Sequence, residues 1–259
     1  MQKYFFILFL LFTLSSFSQS TTDKRPVVDP IEIVKDIMSW LYYQRDHLVW
    51  SADYITLDTS LNPITKGDFL ERLISGRYLP LEIKTSDGSL CYQLYEIKKS
   101  VDKDIVATIK NMAIKELHYY KMEGLSLPDF NFFDLDGNVY NHQTTTNKIV
   151  VLNCWFVRCT PCVAEMPSLN QIVKQFEKQK NIIFLALALD PANEVRMFLN
   201  EHSFKYAIVP DKTDYLSNKL NIIAYPTQLI INRQGMIVKV LESNKISELK
   251  NILIKELQK

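Results

Sequence analysis

The chain has 259 residues, 47% of them hydrophobic and 12% aromatic, so it can bury a sizeable core, has room for two modest domains, and is not a disordered sequence. Lys and Arg together number 30 against 29 Asp and Glu, a formal net charge of +1, and the two signs are interspersed along the chain. That balance leaves no electrostatic footprint for nucleic acid or an anionic membrane surface, and points to a neutral, specific protein or small-molecule partner.

At the start of the chain Lys3 precedes an apolar run from Tyr4 to Leu14, followed by the small polar cluster Ser15, Ser16, Phe17, Ser18. This order is that of a secretory signal peptide, expected over residues 1–19, with cleavage just after Ser18 or near Ser20. The run is shorter than the roughly 20 residues that cross about 30 Å of hydrocarbon, which makes a permanent anchor the weaker alternative. No Cys stands near the cleavage point to carry a lipid, and no later stretch has spanning length. A soluble, exported protein without a stable membrane span is therefore expected, in the periplasm or at the outer face of the cytoplasmic membrane.

Residues 20–28 read as a flexible leader, after which Asp29-Pro30 supplies a cap and a first-turn proline. The helix that follows is expected to reach about Leu41, with Ile33, Ile37, Trp40 and Leu41 on its buried face. From His47 to Asp58 strand formers dominate, although the alternation is imperfect. A short helix is expected from Lys66 to Ser75, stopped by Gly76. Leu81 to Thr85 and Leu90 to Ile97 flank Ser-Asp-Gly-Ser as a hairpin. A longer helix from about Val101 to Tyr120 carries Ile105, Ile109, Met112, Ile114 and Leu117 as its apolar positions and ends near Gly124. Residues 20–122 thus read as an N-terminal α+β domain of unknown role, with no motif that carries chemistry.

Beyond Gly124 the punctuation becomes that of an α/β unit, expected over 123–259. Phe130 to Phe133 and a second short strand enclose Asp134-Leu135-Asp136-Gly137-Asn138, read as a plain hairpin because the bidentate acid of a calcium loop is missing. Lys148 to Trp155 is a near-continuous apolar run, as expected of a central strand covered on both faces. A helix with Val163, Met166, Leu169, Ile172, Val173 and Phe176 at helical spacing follows at once. Asn181 to Leu189 is another apolar strand, Asp190-Pro191 opens a helix through His202, and Tyr206 to Val209 is the next strand. Tyr215 to Leu220 reads as a short helix, Thr227 to Ile231 and Met236 to Leu241 pair around Asn-Arg-Gln-Gly, and Ile246 to Leu257 closes the chain as a helix.

The chemistry lies in Trp155-Phe156-Val157-Arg158-Cys159-Thr160-Pro161-Cys162, where a central strand hands over to a helix. A cysteine in the first turn of a helix sits against unpaired backbone N–H groups and the positive end of the helix dipole, which favours its thiolate. Cys159 holds that place, and Arg158 adds a second cationic influence. Cys162, on the same side of the first turn, is shielded, as suits a thiol that resolves a mixed disulfide. Pro161 fits the first turn because it has no N–H to satisfy. A purely structural disulfide across so short a loop would constrain the unfolded chain by only about 2 kcal/mol, against about 4 for a loop the length of Cys91 to Cys154. Zinc lacks a second pair of ligands, since His47, His118, His142 and His202 are scattered singly. Two buried free cysteines by coincidence are a minor alternative in this strand-to-helix context, and redox chemistry is the favoured reading, with the Cys159-Cys162 dithiol in place of any bound cofactor or metal. Cys91 and Cys154 read as packed core thiols, with a disulfide between them as the alternative in an oxidising compartment.

Residues 125–259 resemble the thioredoxin-like TlpA/ResA family of exported, often membrane-associated thiol-disulfide oxidoreductases. The resemblance is carried by Pro128-Asp129-Phe130, the Asp-Leu-Asp-Gly turn, Val151-Leu152-Asn153 before Trp155, Cys159-Thr160-Pro161-Cys162, Glu165-Met166-Pro167, Tyr225-Pro226-Thr227 and Asn232-Arg233-Gln234-Gly235. It implies a thioredoxin-like α/β fold, a central mixed sheet flanked by helices, preceded here by the small α+β domain. It also implies that Pro226 is a cis-proline beside the dithiol, while the residues alone allow an ordinary edge or turn proline. Glu165 stands where the family has an acid near the dithiol, either tuning thiol pKa and relaying a proton or standing as an exposed helix carboxylate. Trp155, Arg158, Thr160, Pro161, Tyr225 and Pro226 are the candidate substrate surface. Arg158 is a departure, because the family usually has Trp directly before the first Cys. The partners implied are protein or peptide disulfides and a membrane thiol-electron donor; haem-protein maturation is a common task of the family that nothing in these residues selects.

Thr160-Pro161 contains no imidazole to stabilise a thiolate, which argues for a reducing centre, while Arg158 pushes the other way. A protein-disulfide reductase is the favoured expectation. A disulfide oxidase or isomerase, or a redox-inactive adaptor on the same fold, are the alternatives.

Overall fold

The computed structural model describes residues 25–98 and 100–259. The signal-peptide reading of residues 1–19 and the first part of the leader lie outside the described residues. Arg25 to Val27, expected to be flexible leader, instead run beside the first hairpin, with Val27 N donating to Glu82 O at 3.0 Å and Lys84 N to Arg25 O at 3.0 Å.

The first half of the chain runs α1 Pro30–Ile33, α2 Ile37–His47, β1 Ile55–Leu57, α3 Lys66–Ile74, β2 Tyr78–Glu82, β3 Cys91–Glu96 and α4 Lys103–Met122. The single helix expected from Pro30 is two, because the Asp36 carboxylate accepts Ser39 N at 2.7 Å and caps a fresh start. The break leaves Leu41 exposed. The strand expected from His47 shrinks to Ile55–Leu57. Side chains take the backbone groups that a ladder would have used: Tyr92 Oη donates to His47 O and accepts from Val49 N, both at 2.9 Å, and Lys66 Nζ donates to Trp50 O at 2.9 Å. The hairpin forms as β2 antiparallel to β3, with its first strand beginning earlier than expected, at Tyr78. In the order β1-β3-β2 the middle strand pairs parallel with β1. Pro80 is tolerated on the edge strand β2. Trp40, Phe69, Leu70, Leu73, Tyr92, Ile105 and Ile109 form the core of this half, while Ile114, expected to be buried, faces out.

The second half runs β4 Asn131–Phe133, β5 Val139–Asn141, α5 His142–Thr145, β6 Ile149–Trp155, α6 Thr160–Gln175, β7 Ile182–Ala188, α7 Ala192–Leu199, β8 Ala207–Val209, a π-helical turn Tyr215–Lys219, β9 Thr227–Ile231, β10 Ile237–Glu242 and α8 Ile246–Leu257. Its mixed sheet has the order β10-β9-β6-β7-β8, with β6 parallel to β7 and antiparallel to β9. Every residue of β6 is buried because both faces are covered. Ile149, Val151 and Trp155 join the cluster under α6, α7 and α8, with Met166, Leu169, Val195, Leu249 and Leu253. Val150, Leu152 and Cys154 join the opposite cluster, with Phe132, Tyr215 and Leu216. The C-terminal end of α4 reaches this second cluster through Tyr119 and Met122. Among the described residues no helix is long and apolar enough to cross a membrane.

Candidate functional site

The site forms where β6 ends in the middle of the sheet and α6 begins. Cys159 is the N-cap residue of α6, with extended backbone, and its Sγ accepts the Cys162 amide at 3.2 Å. A sulfur so placed faces the free N–H groups of a 16-residue helix and the positive end of its dipole. The two sulfurs are joined in a disulfide with a Cα–Cα distance of 5.2 Å, and both residues are almost wholly buried. Cys159 is therefore less exposed in this oxidised state than a solvent-attacking thiol suggests, and what lies open around it is Arg158, Thr160 and Pro161.

The approach to Cys159 is fixed from a distance. Asp190, at the end of β7, spends its carboxylate on the amide of Val157 at 2.7 Å, not on capping α7. The same residue's carbonyl accepts Asp211 N at 3.0 Å, so the loop between β6 and α6 is tied to the β7 side of the sheet. On the other side of β6, the Tyr225–Pro226 peptide ahead of β9 is cis, as the resemblance implies. The Tyr225 ring meets Phe156 edge-on at 5.6 Å between centroids. Thr227, the residue after this proline, is held by Tyr119 of α4, whose hydroxyl lies 3.2 Å from Thr227 Oγ1.

Glu165 is not an exposed helix carboxylate. It is 4% exposed, and it accepts the Asn244 amide and, at 3.2 Å, the Gln228 side-chain amide. Burial raises its pKa, and the two donors only partly oppose that shift. Gln228 is the register partner of Asn153 on β6, so a buried polar layer of Asn153, Gln228 and Glu165 lies under the first turns of α6. The second acceptors of that layer, Asn153 Oδ1 and Gln228 Oε1, have no protein partner among the described residues.

Trp155, read from the sequence as part of the substrate surface, is fully buried and corrects that expectation. Alternation along β6 turns it under α6 and α7, where Phe198 and Phe204 pack on its ring at 5.4 and 5.9 Å between centroids. Pro226 is likewise buried, and Tyr225 is half-buried. Cys91 and Cys154 lie in different hydrophobic clusters, and burial pushes the Cys154 thiol far above the range where it would ionise. The Asp134 carboxylate of the hairpin turn is taken up by Asn138 and Tyr140 side chains and by the Asp136 and Asn138 amides. Among the described residues no group of three or more His, Cys, Asp or Glu is placed to hold a metal ion.

Asp190, read from the sequence only as the opening of a helix, and Asn244, Gln228 and Tyr119 were not expected at the site. Each is far along the chain from the dithiol, and each acts through one hydrogen bond that only the fold creates.

Residues 124–240 match the family model described as the AhpC/TSA family. The chain is 28% identical over 130 residues to the thiol-disulfide oxidoreductase ResA of Bacillus thuringiensis subsp. konkukian, covering 49% of this chain and 75% of that one. It is 29% identical over 125 residues to ResA of Geobacillus thermodenitrificans, covering 48% and 72%. Among solved structures it is similar to the thioredoxin domain of a thiol-disulfide oxidoreductase from Bacteroides vulgatus, at 21% identity, 51% and 96% coverage and a TM-score of 0.46. The strand order, the dithiol at the junction of β6 and α6, and the family match over the same residues agree. The C-terminal half of this chain thus carries a thioredoxin-like domain that matches the AhpC/TSA family model over residues 124–240 and is similar to thiol-disulfide oxidoreductases.

Proposed function

We propose that the chain is an exported protein-disulfide reductase whose working groups are Cys159 and Cys162. The observation that carries this reading is the place of the Cys159 sulfur, capping α6 with the Cys162 amide 3.2 Å away. In the reduced protein the Cys159 thiolate attacks one sulfur of a substrate disulfide and the other sulfur leaves as a thiolate. Cys162 then loses its proton and attacks Cys159, so the second substrate thiol leaves and the two electrons of the dithiol have passed to the substrate. Glu165, one turn beyond Cys162 on the same helix, takes the Cys162 proton; a carboxyl with a raised pKa can hold and release a proton closer to neutral pH than an ordinary one. Arg158, Thr160 and Pro161 meet the substrate from the open side, and the half-buried Tyr225 flanks it on the β9 side, with Pro226 buried behind it. Trp155 acts from beneath the surface.

The reducing direction is supported by Thr160-Pro161, which offers no imidazole to favour the thiolate. Each pKa unit on the attacking thiol is worth about 1.4 kcal/mol, or about 30 mV in the couple. The chain is read as acting in the periplasm or at the outer face of the cytoplasmic membrane and as being re-reduced by a membrane thiol-electron donor. Insulin reduction by the wild type and by Cys159→Ala tests the chemistry: the variant is expected to be inactive, and equal rates would refute the reading. A measured potential near the strongly oxidising end, about −120 mV, would overturn the direction alone.

A further inference from the structure

Beside the dithiol, on the β7 side of β6 and away from Tyr225 and Pro226, lies an open groove of about 490 Å³. Its walls are Val157 and Arg158 from the loop before α6, Val163 from its first turns, and Phe198 and His202 from the end of α7. The apolar part is a continuous floor. Phe198 packs on the buried Trp155, and the His202 ring stacks flat on Phe198 at 4.0 Å and 4°. The His202 ring is pinned there, since its Nδ1 stands 3.1 Å from the Phe198 carbonyl and must donate to it. Arg158, next to Cys159 in the chain, also lines the groove. Its side chain is exposed, and among the described residues no carboxylate or carbonyl takes its guanidinium. The acids of α7 and its end, Glu194 and Glu201, stand outside the groove wall.

A rigid apolar floor beside an unpaired guanidinium asks for a ligand with an apolar side chain and a carboxylate a short distance apart. Resting on the reading of the dithiol as a disulfide reductase, we infer that this groove selects the substrate. It takes a peptide segment whose disulfide cysteine is flanked on one side by a large aliphatic residue, seated on Phe198, and on the other by Asp or Glu, paired with Arg158.

The test is single-turnover reduction by the pre-reduced wild-type chain of four peptides. Each carries the same intramolecular disulfide, with Leu or Gly on one side of a cysteine and Glu or Lys on the other. The Leu/Glu peptide is expected to react about tenfold faster than the Leu/Lys peptide, a difference of about 1.4 kcal/mol in the transition state, and faster than the Gly/Glu peptide. Arg158→Glu should invert the Glu-over-Lys preference, and Phe198→Ala should abolish the Leu-over-Gly preference. Each preference is a ratio read on one preparation, so partial unfolding of a variant cancels. Equal rates for all four peptides with the wild type, or a Glu preference that survives Arg158→Glu, would overturn the inference. Hydroxyethyl disulfide, too small to engage the groove, reads the dithiol itself. Turnover of it with no peptide preference refutes the groove alone, and no turnover of it or of any peptide removes the reductase reading as well.

Discussion

Glu165→Gln separates the buried carboxyl from the rest of the site. Glutamine keeps an acceptor for the Asn244 amide, and Gln228 can turn its unpartnered Oε1 toward the new amide. The cost at acid pH is therefore expected to stay under about 1 kcal/mol. The pH dependence is the sharper signal. Burial raises the Glu165 pKa above its ordinary 4.5, so from there up to the raised value the folded chain keeps a proton that the unfolded chain has lost. The stability supplied by that proton is whole below the ordinary value and drains away as pH rises through the folded one, at up to about 1.4 kcal/mol per pH unit. The variant has no such slope. Urea unfolding of the oxidised protein across the acid-to-neutral range should show the variant gaining on the wild type as pH rises. A gap that stays constant would mean that Glu165 binds its proton alike in the folded and the unfolded chain, which would refute the shift caused by burial. In the reduced variant, product release from the mixed disulfide should slow by about a hundredfold, in line with a lost general base, while the first attack changes little.

Asp190→Ala should destabilise the protein by about 1–3 kcal/mol, because the Val157 amide loses a charged acceptor, and should lower insulin reduction through the loosened loop before Cys159. Asp190→Asn, which keeps an acceptor, should recover most of both, and equal stability for the two variants would refute the assignment. Tyr119→Phe removes a buried hydroxyl 3.2 Å from Thr227 Oγ1 and should cost about 1 kcal/mol in thermal unfolding of the oxidised chain; an unchanged melting temperature would mean that the bond is not made. Burial, and then the facing Glu242, push Glu116 up to about 7, against Lys66, Lys115 and Lys239. The stability held by its proton is whole below about pH 4.5 and is lost toward pH 7, so Glu116→Gln should flatten the melting temperature across that interval, and an unaltered profile would refute the shift.

The readable parts of this sequence were those whose signal is local. β6 announces itself as an unbroken apolar run because both of its faces are covered, and α8 runs between the bounds read from its periodicity. Cys159 at a helix start followed by Pro161 is a one-turn pattern, legible without the fold. The misreadings share a cause, which is a contact from far away. Leu48 to Tyr54 has strand composition, yet Tyr92 and Lys66 take its backbone groups from other elements. Trp155 looked like a surface aromatic because of its place beside the dithiol, but it is the last residue of β6, whose two faces are both covered. Glu165 carries no mark of burial in its own segment; Asn244 and Gln228, which hold it, lie 79 and 63 residues away.

The same logic gives the N-terminal half a physical connection to the chemistry, although no motif there carries any. α4 packs Ile105, Ile109 and Met112 into the first core and Tyr119 and Met122 into the face of the second sheet. From that end of the helix Tyr119 reaches Thr227, and His118 Nε2 reaches the Asn221 carbonyl at 2.8 Å. Both ends of the segment that carries Tyr225 and Pro226 are thereby held by one helix, and that helix is anchored at its other end in a separate core. A rigid helix spanning two packed clusters transmits a shift in one to the other, since close-packed interiors yield little. The loop on the β9 side of the dithiol is therefore fixed by the N-terminal half, while the loop between β6 and α6 is fixed by Asp190, just past the end of β7.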